Sequence, residues 1–381
     1  MHNIDKDVLA SVESALQSGS LFRYADNNGK PSFARQLENR FAELTGSQYC
    51  LALNSCTSAL YVSLISAGVK PGDKVLIPAF TFIAVPSAVV QAGANPVLVE
   101  VDENYVIDLQ ALESSITTDT RFLLLSYMRG RVPDMDSIMD ICRRHNITVL
   151  EDAAHSLGVK FDGQLTGRFG RAAAFSFQSY KLLDAGEGGL LVTDDVNLMA
   201  RALIHSGCYE ENFRKDGFTN DLLDSLTALA NALPTYNFRM SNLSAAALLP
   251  QVDRIDERIS KYNENYATLS EVLGRSDKIR LPEFHPKLSP VCDSLQFFIK
   301  EDIGEENMLS MRDTCAELGV PVNLFGQDNF NARCYWNWKF IEPQELPKTR
   351  ALLQRTADIR LPLTLTETDL VKLGNTIVQT L

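Results

Sequence analysis

Residues 148–195 read TVLEDAAHSLGVKFDGQLTGRFGRAAAFSFQSYKLLDAGEGGLLVTDD, and this stretch decides the fold. It holds three short apolar runs, TVLED (Thr148 to Asp152), AAFSF (Ala173 to Phe177) and GLLVTD (Gly189 to Asp194), separated by turn-rich sequence. Short runs that are apolar almost throughout are expected of strands buried on both faces of a mostly parallel sheet. Upstream, KVLIP (Lys74 to Pro78), PVLVEV (Pro96 to Val101) and FLLLSY (Phe122 to Tyr127) have the same character. Helical patterns fall between them at Thr57 to Ala67, Ser87 to Ala92 and Met135 to His145. Strand and helix in steady alternation predict a doubly wound α/β domain. In such sheets the ligand site lies in the loops at the carboxyl ends of the strands.

Downstream the texture changes. Ala246 to Leu273 reads as one long helix, with Pro250 in its first turn or at a kink. SLQFFIKE (Ser294 to Glu301) reads as a strand, and Asn307 to Gly319 as a helix stopped by its glycine. A last helix follows RLPL (Arg360 to Leu363), its start marked by Thr366 with Asp369 three residues on. The expected division is a large domain over 1–244 and a smaller α+β domain over 245–381. The stretch Cys208 to Pro234 is long enough to serve as a flap.

Composition narrows the function classes. The chain has 381 residues and a net charge of −12, which is no basis for binding nucleic acid or an anionic membrane. No apolar run approaches the ~18 residues of a membrane span. The opening MHNIDKDVLASVESAL is mixed and amphipathic, unlike a secretory signal, so the cytoplasm is the expected location. The seven cysteines are scattered with no CxxC pair and the five histidines do not cluster, so no metal site and no disulfide framework is expected.

Four local features fall at strand ends. NSCTSAL (Asn54 to Leu60) opens a helix with small hydroxyl residues, which suits a phosphate as well as it suits an ordinary N-cap. FTFIAV (Phe80 to Val85) offers an aromatic pair that core packing would also explain. LEDAAH (Leu150 to His155) puts carboxylates at the sheet edge, where they meet a ligand or cap the next helix. FSFQSYKLLDAGEGG (Phe175 to Gly189) delivers Ser176 and then Lys181 into a turn before a glycine-rich run. A lysine among apolar and small neighbours loses its proton more easily than an exposed one, as a Schiff-base lysine requires.

In this order and with these spacings, the four runs resemble the DegT/DnrJ/StrS family of pyridoxal-phosphate (PLP) dependent sugar aminotransferases. The resemblance runs from about Ser11 to Asp195, and YNFRMSNLSAA (Tyr236 to Ala246) is similar to a further family segment. It implies the aspartate-aminotransferase type of PLP fold (fold type I) and a homodimer with shared sites. It also implies transfer of an amino group from glutamate or glutamine to a keto-sugar, nucleotide-linked, or to a keto-cyclitol. By position, Lys181 would carry the cofactor as an imine and shuttle the proton, and Asp152 would keep the pyridine nitrogen protonated. Phe82 would stack on the ring, Cys56, Thr57 and Ser176 would hold the phosphate, and His155 would lie near the ring oxygen. Asn237 would reach the phosphate from the other subunit.

Two runs depart from the family pattern. YMRG (Tyr127 to Gly130) brings Arg129, which is suited to a bidentate carboxylate contact and equally to a structural ion pair. DNFNARCYWNWKF (Asp328 to Phe340) carries Trp336 and Trp338, placed either to stack on a sugar or to pack. The alternative function is a PLP enzyme of the same fold doing elimination or carbon–carbon bond formation. Family dehydratases carry histidine at the lysine position, so Lys181 argues against that branch. A non-catalytic scaffold is disfavoured because Lys181, Asp152 and the phosphate residues are all present.

Overall fold

The computed structural model describes residues 5–25 and 29–381; the first four residues of the N-terminal stretch lie outside them. Seven strands form the main sheet: β1 (Tyr49–Leu53), β2 (Lys74–Pro78), β3 (Asn95–Val99), β4 (Phe122–Ser126), β5 (Thr148–Asp152), β6 (Ala172–Ser176) and β7 (Gly189–Thr193). Their order across the sheet is β1-β7-β6-β5-β4-β2-β3. The β2–β3, β2–β4, β4–β5 and β5–β6 pairs are parallel, whereas β7 runs antiparallel to both its neighbours. Every residue of β4, β6 and β7 is buried, which is why these runs show no polar alternation.

Helices cover both faces. The first are α1 (Lys6–Ser18), α2 (Phe33–Thr45), α3 (Cys56–Ala67) and α4 (Ala84–Gln91), followed by α5 (Met135–Arg144) and α6 (Val196–Ser206). One core, with Leu60, Leu64, Ile77 and Leu191, lies between the sheet and α3, α4 and α6. The other, with Leu37, Phe41, Ile138 and Leu190, lies on the opposite face under α2 and α5. The stretch 208–234 is no loose flap. Its Phe213, Leu222 and Leu226 are buried in the first core, and Asp216 meets the buried Arg23 at 3.1 Å.

The long helix expected at 246–273 is instead two helices, α7 (Asn242–Val252) and α8 (Ile255–Leu273). Pro250 sits in the last turn of α7, not the first, and the helix ends two residues later. Proline has no N–H to donate to the preceding turn and its ring crowds that turn's carbonyl, so a break there is the ordinary consequence. A second sheet, with strands β8 (Ile279–Arg280), β9 (Ser294–Ile299), β10 (Val322–Leu324) and β11 (Thr356–Arg360), has the order β8-β9-β11-β10 and is antiparallel throughout. It shares a third core with α8, α9 (Glu305–Glu317) and α10 (Glu367–Thr380). The capping box at Thr366 and Asp369 forms as expected. Among the described residues, no helix is long and apolar enough to cross a membrane.

Candidate active site

The parallel strands all end at one edge of the main sheet, and the antiparallel β7 begins there. That edge gathers Asn54 to Cys56 after β1, Thr81 and Phe82 after β2, Ser126 at the end of β4, Asp152 at the end of β5, Ser176 at the end of β6 and Gly189 at the start of β7.

Asp152 is 5% exposed. Its Oδ2 accepts from the Ser126 hydroxyl at 2.6 Å, and its Oδ1 accepts from the Ala154 backbone N–H at 3.2 Å. Burial pushes its carboxyl above the usual range, while the Ser126 hydrogen bond and the Lys181 charge pull the other way. Thr81 donates its hydroxyl to Ser126 at 2.7 Å, so a chain of hydrogen bonds ties Asp152 to the residue before Phe82. Phe82 itself remains 42% exposed, so part of its ring is uncovered.

Lys181 lies in the turn after β6, half-buried, with its Nζ 2.8 Å from Nε2 of His155. Burial lowers its ammonium to about 7; Arg360 pushes in the same direction, and Asp293, Asp152 and Cys56 oppose it. His155 is held well below its ordinary value by burial first, then by the charges of Lys181, Arg129, Arg360 and Arg333. It is therefore a neutral imidazole near pH 7. Its Nδ1 is buried without a hydrogen-bond partner, so the ring has one nitrogen engaged with Lys181 and another available.

The phosphate candidates converge through one glycine. Ser176 is 8% exposed and pairs in register with Gly189. A Cβ on Gly189 would lie 2.4 Å from the Ser55 backbone and 2.5 Å from the Cys56 nitrogen. Only glycine lets β7 come this close to the start of α3. Ser55 caps that helix by accepting from the Ser58 N–H, and the first-turn N–H groups of Cys56 and Thr57 stand at its positive end.

Asn237 is not drawn into the Lys181 cluster. It is exposed, and its side chain makes no hydrogen bond to another described residue. Its neighbours hold the segment against β1, with Asn54 N–H donating to Phe238 carbonyl at 2.7 Å and Leu53 bridging Arg239.

Several participants escaped the sequence reading. Ser126 lay in a run read only as a strand, and Thr81 in a run read for its aromatic pair alone. Arg360, the first residue of RLPL, pairs with Asp293 at 2.6 Å and bears on Lys181. Burial opposes ionisation of Asp293, but Arg360, Arg129, the Ser294 hydrogen bond and Lys181 together offset it and hold its carboxyl below the usual range. Tyr180, next to Lys181, has a φ of 80°, a conformation that costs free energy for a non-glycine residue and concentrates at functional sites. The two tryptophans pack: Trp338 is 3% exposed and donates to the Ala332 carbonyl at 3.0 Å, and Trp336 lies against Tyr335 with Arg350 over its ring.

The chain is similar to known proteins in sequence and in fold. The sequence profile of the DegT/DnrJ/EryC1/StrS aminotransferase family matches residues 2–378. GDP-perosamine synthase from Caulobacter vibrioides is 34% identical over 229 residues, 60% of this chain and 58% of that protein. L-glutamine:scyllo-inosose aminotransferase from Streptomyces griseus is 39% identical over 210 residues, 55% of this chain and 48% of that protein. The matches thus span about half the length of these curated relatives. Among solved structures, 3-amino-5-hydroxybenzoic acid synthase superposes with a TM-score of 0.84 at 26% identity, covering 99% of this chain and 96% of that one. An aminotransferase from Psychrobacter cryohalolentis gives a TM-score of 0.85 at 24% identity over 98% of this chain and 96% of that one.

Proposed function

The chain belongs to the DegT/DnrJ/EryC1/StrS aminotransferase family, and from that premise we propose that it is a PLP-dependent aminotransferase. It moves the amino group of glutamate or glutamine to a keto-sugar, nucleotide-linked, or to a keto-cyclitol. The observation that carries this reading is Lys181, its ammonium lowered to about 7 and its Nζ 2.8 Å from a neutral imidazole, across from the buried Asp152 carboxylate. The named relatives, a GDP-perosamine synthase and a glutamine-dependent inosose aminotransferase, support the substrate classes.

The residues present fit the cofactor. His155 Nδ1 is an orphaned buried nitrogen, Phe82 offers an uncovered ring face, and Gly189 leaves the room that a Cβ would fill at the Cys56 turn. In this reading Cys56, Thr57 and Ser176 hold the phosphate, with the positive end of α3 facing the anion. Asp152 holds a proton on the ring nitrogen, kept in place by Ser126. Phe82 covers one ring face, and His155 meets the ring oxygen. When bound, the cofactor supplies an electron sink next to the reacting carbon. Lys181 would anchor it and, as a free amine, would carry the proton to and from that carbon. A base near 7 suits that task, because it both takes and returns a proton at neutral pH.

The same proposal includes a homodimer in which Asn237 of one subunit reaches the phosphate of the other. It is supported by the uncovered surface around that residue, where exposed Phe22 and Tyr209 both lie against the Arg239 guanidinium. It also includes a large part over 1–244 and a smaller one over 245–381, supported by the separate core of the second sheet. Helix α7 spans that boundary and packs against α1 and α2.

The test is direct. Protein loaded with PLP is incubated with L-glutamine or L-glutamate and a panel of keto-sugar nucleotides and keto-cyclitols, and the products are identified by mass. An aminated product and a 2-oxo acid are expected. Elimination products from the same panel, with no amine, would overturn the reading.

A further inference from the structure

The two runs that depart from the family pattern meet in the folded chain. Arg129 sits in the turn after β4, at the cofactor edge of the sheet, with a φ of 58°. Gly130 follows with a φ of 71°, and a Cβ there would lie 3.1 Å from the His155 carbonyl oxygen. Arg333 belongs to the other run, which is pinned to the loop bearing Phe82: Phe80 bridges Cys334, and the Ile83 N–H donates to the Ala332 carbonyl at 3.0 Å. Met128 and Cys334, the chain neighbours of the two arginines, pack in one cluster with Phe80. Both guanidinium groups bear electrostatically on His155, and Arg333 bears on Arg129.

Their hydrogen bonding is incomplete. The Arg129 side chain is wholly buried and pairs through Nη2 with Asp358, which also accepts from Gln296 at 2.9 Å. Its Nε and Nη1 have no partner, and neither does the buried Nε of Arg333. Among the described residues, no carboxylate forms an ion pair with Arg333. Nearby Arg360 is satisfied by Asp293 at 2.6 Å. Two aspartates therefore serve Arg129 and Arg360, while half-buried Arg333 has no ion-pair partner among the described residues, and three buried guanidinium nitrogens (Nε and Nη1 of Arg129, Nε of Arg333) stay open. Burying guanidinium donors without an acceptor is costly, so the arrangement fits a ligand that supplies an anionic one.

We propose that Arg129 and Arg333 form the subsite for the α-carboxylate of the amino donor. The proposal rests on the aminotransferase reading above and names the part of the site that selects the donor. The donor's α-carboxylate is one bond from the carbon whose proton Lys181 takes and returns, and this cluster adjoins Lys181 through His155. A keto-sugar has no carboxylate at that distance, and the diphosphate of a nucleotide sugar lies a whole ring away from the keto carbon. A fork of N–H donors matches the planar, two-oxygen shape of a carboxylate.

The experiment titrates PLP-loaded protein with glutarate, an unreactive carboxylate probe, and separately with GDP as a probe for a nucleotide. Arg333→Gln and Arg129→Lys are compared with the unaltered chain. Each variant is expected to weaken glutarate binding by roughly ten- to a hundred-fold and to leave GDP binding and the borohydride fixation of PLP unchanged. Arg129 also holds Asp358, so its variant could lose stability; Arg333 holds no ion pair, and its variant decides the matter alone. Unchanged glutarate affinity in Arg333→Gln would overturn the proposal, as would a loss of GDP affinity with glutarate binding intact. Failure of the unaltered protein to fix PLP would overturn the cofactor reading, and this subsite with it.

Discussion

Glu151 and Asp152 are adjacent carboxylates on one strand, both buried, and they face opposite ways because side chains alternate along a strand. Glu151 points away from the site and is saturated. It accepts from the Tyr127 hydroxyl at 2.7 Å and from the backbone N–H groups of Gly167, Phe169 and Gly170 at 2.7, 2.8 and 2.6 Å. It fastens the loop between β5 and β6. Asp152 points to the cluster and takes two donors, one from Ser126 and one from Ala154, with acceptor capacity left over. Burial alone does not separate a structural acid from a functional one. The number of donors already fixed on it does.

The largest effect expected from this contrast is on Asp152. Asp152→Asn should lower the amino-transfer rate by roughly 10²- to 10³-fold while the melting temperature stays near that of the unaltered protein. Single-turnover kinetics and a thermal melt read the two quantities, and a fall in stability with normal turnover would reverse the assignment. Glu151→Gln should do the opposite. An amide turns an NH₂ toward groups that are themselves donors, so unfolding in denaturant should show a loss of about 2–3 kcal/mol. Turnover per folded molecule should be unchanged; a rate defect without a stability defect would put Glu151 in the chemistry.

A third test concerns Lys181, where the sign follows from a lowered value. The neutral amine is the form that captures PLP, and its fraction rises as pH climbs through about 7. Capture by the apo protein, followed by stopped-flow absorbance, should therefore rise to a plateau just above neutral pH. Arg360 is the largest influence on Lys181 after burial, and its loss also leaves Asp293 unpaired beside the lysine. Arg360→Gln should move the inflection to higher pH; an unmoved profile would separate Arg360 from Lys181. The smallest effect is expected of Ser126→Ala, which removes one of the two donors on Asp152 and frees Thr81. A fall in rate of about three- to tenfold is expected, with PLP still bound. A loss as large as that of Asp152→Asn would mean that Ser126 itself touches the reacting groups.

How much of this was legible in the sequence varies with distance along the chain. The buried strands from β2 to β7 were readable because continuous apolar runs need no partner to declare themselves. The place of Lys181, Asp152 and Ser176 at the sheet edge was readable because each lies within a few residues of such a run. Ser126 and Thr81 were not, since a hydroxyl in an apolar run looks like strand filler until the fold brings Asp152 beside it. The pairs Arg360–Asp293 and Arg129–Asp358 join residues far apart in the chain, and no local pattern announces them. The break between α7 and α8 was read only as a first-turn proline or a kink in one helix, because the apolar pattern was taken to start at Ala246. The pattern in fact began earlier, at Asn242, capped by Ser241.

The central claim is that Lys181 is the residue that carries the cofactor. The most direct test is to incubate the unaltered protein with PLP, reduce with borohydride, digest, and locate the modified lysine by mass spectrometry. The account predicts pyridoxyl-phosphate on Lys181 alone, in the peptide that contains FSFQSYK, and none in Lys181→Ala. Modification at another lysine, or fixation that survives in Lys181→Ala, would contradict it.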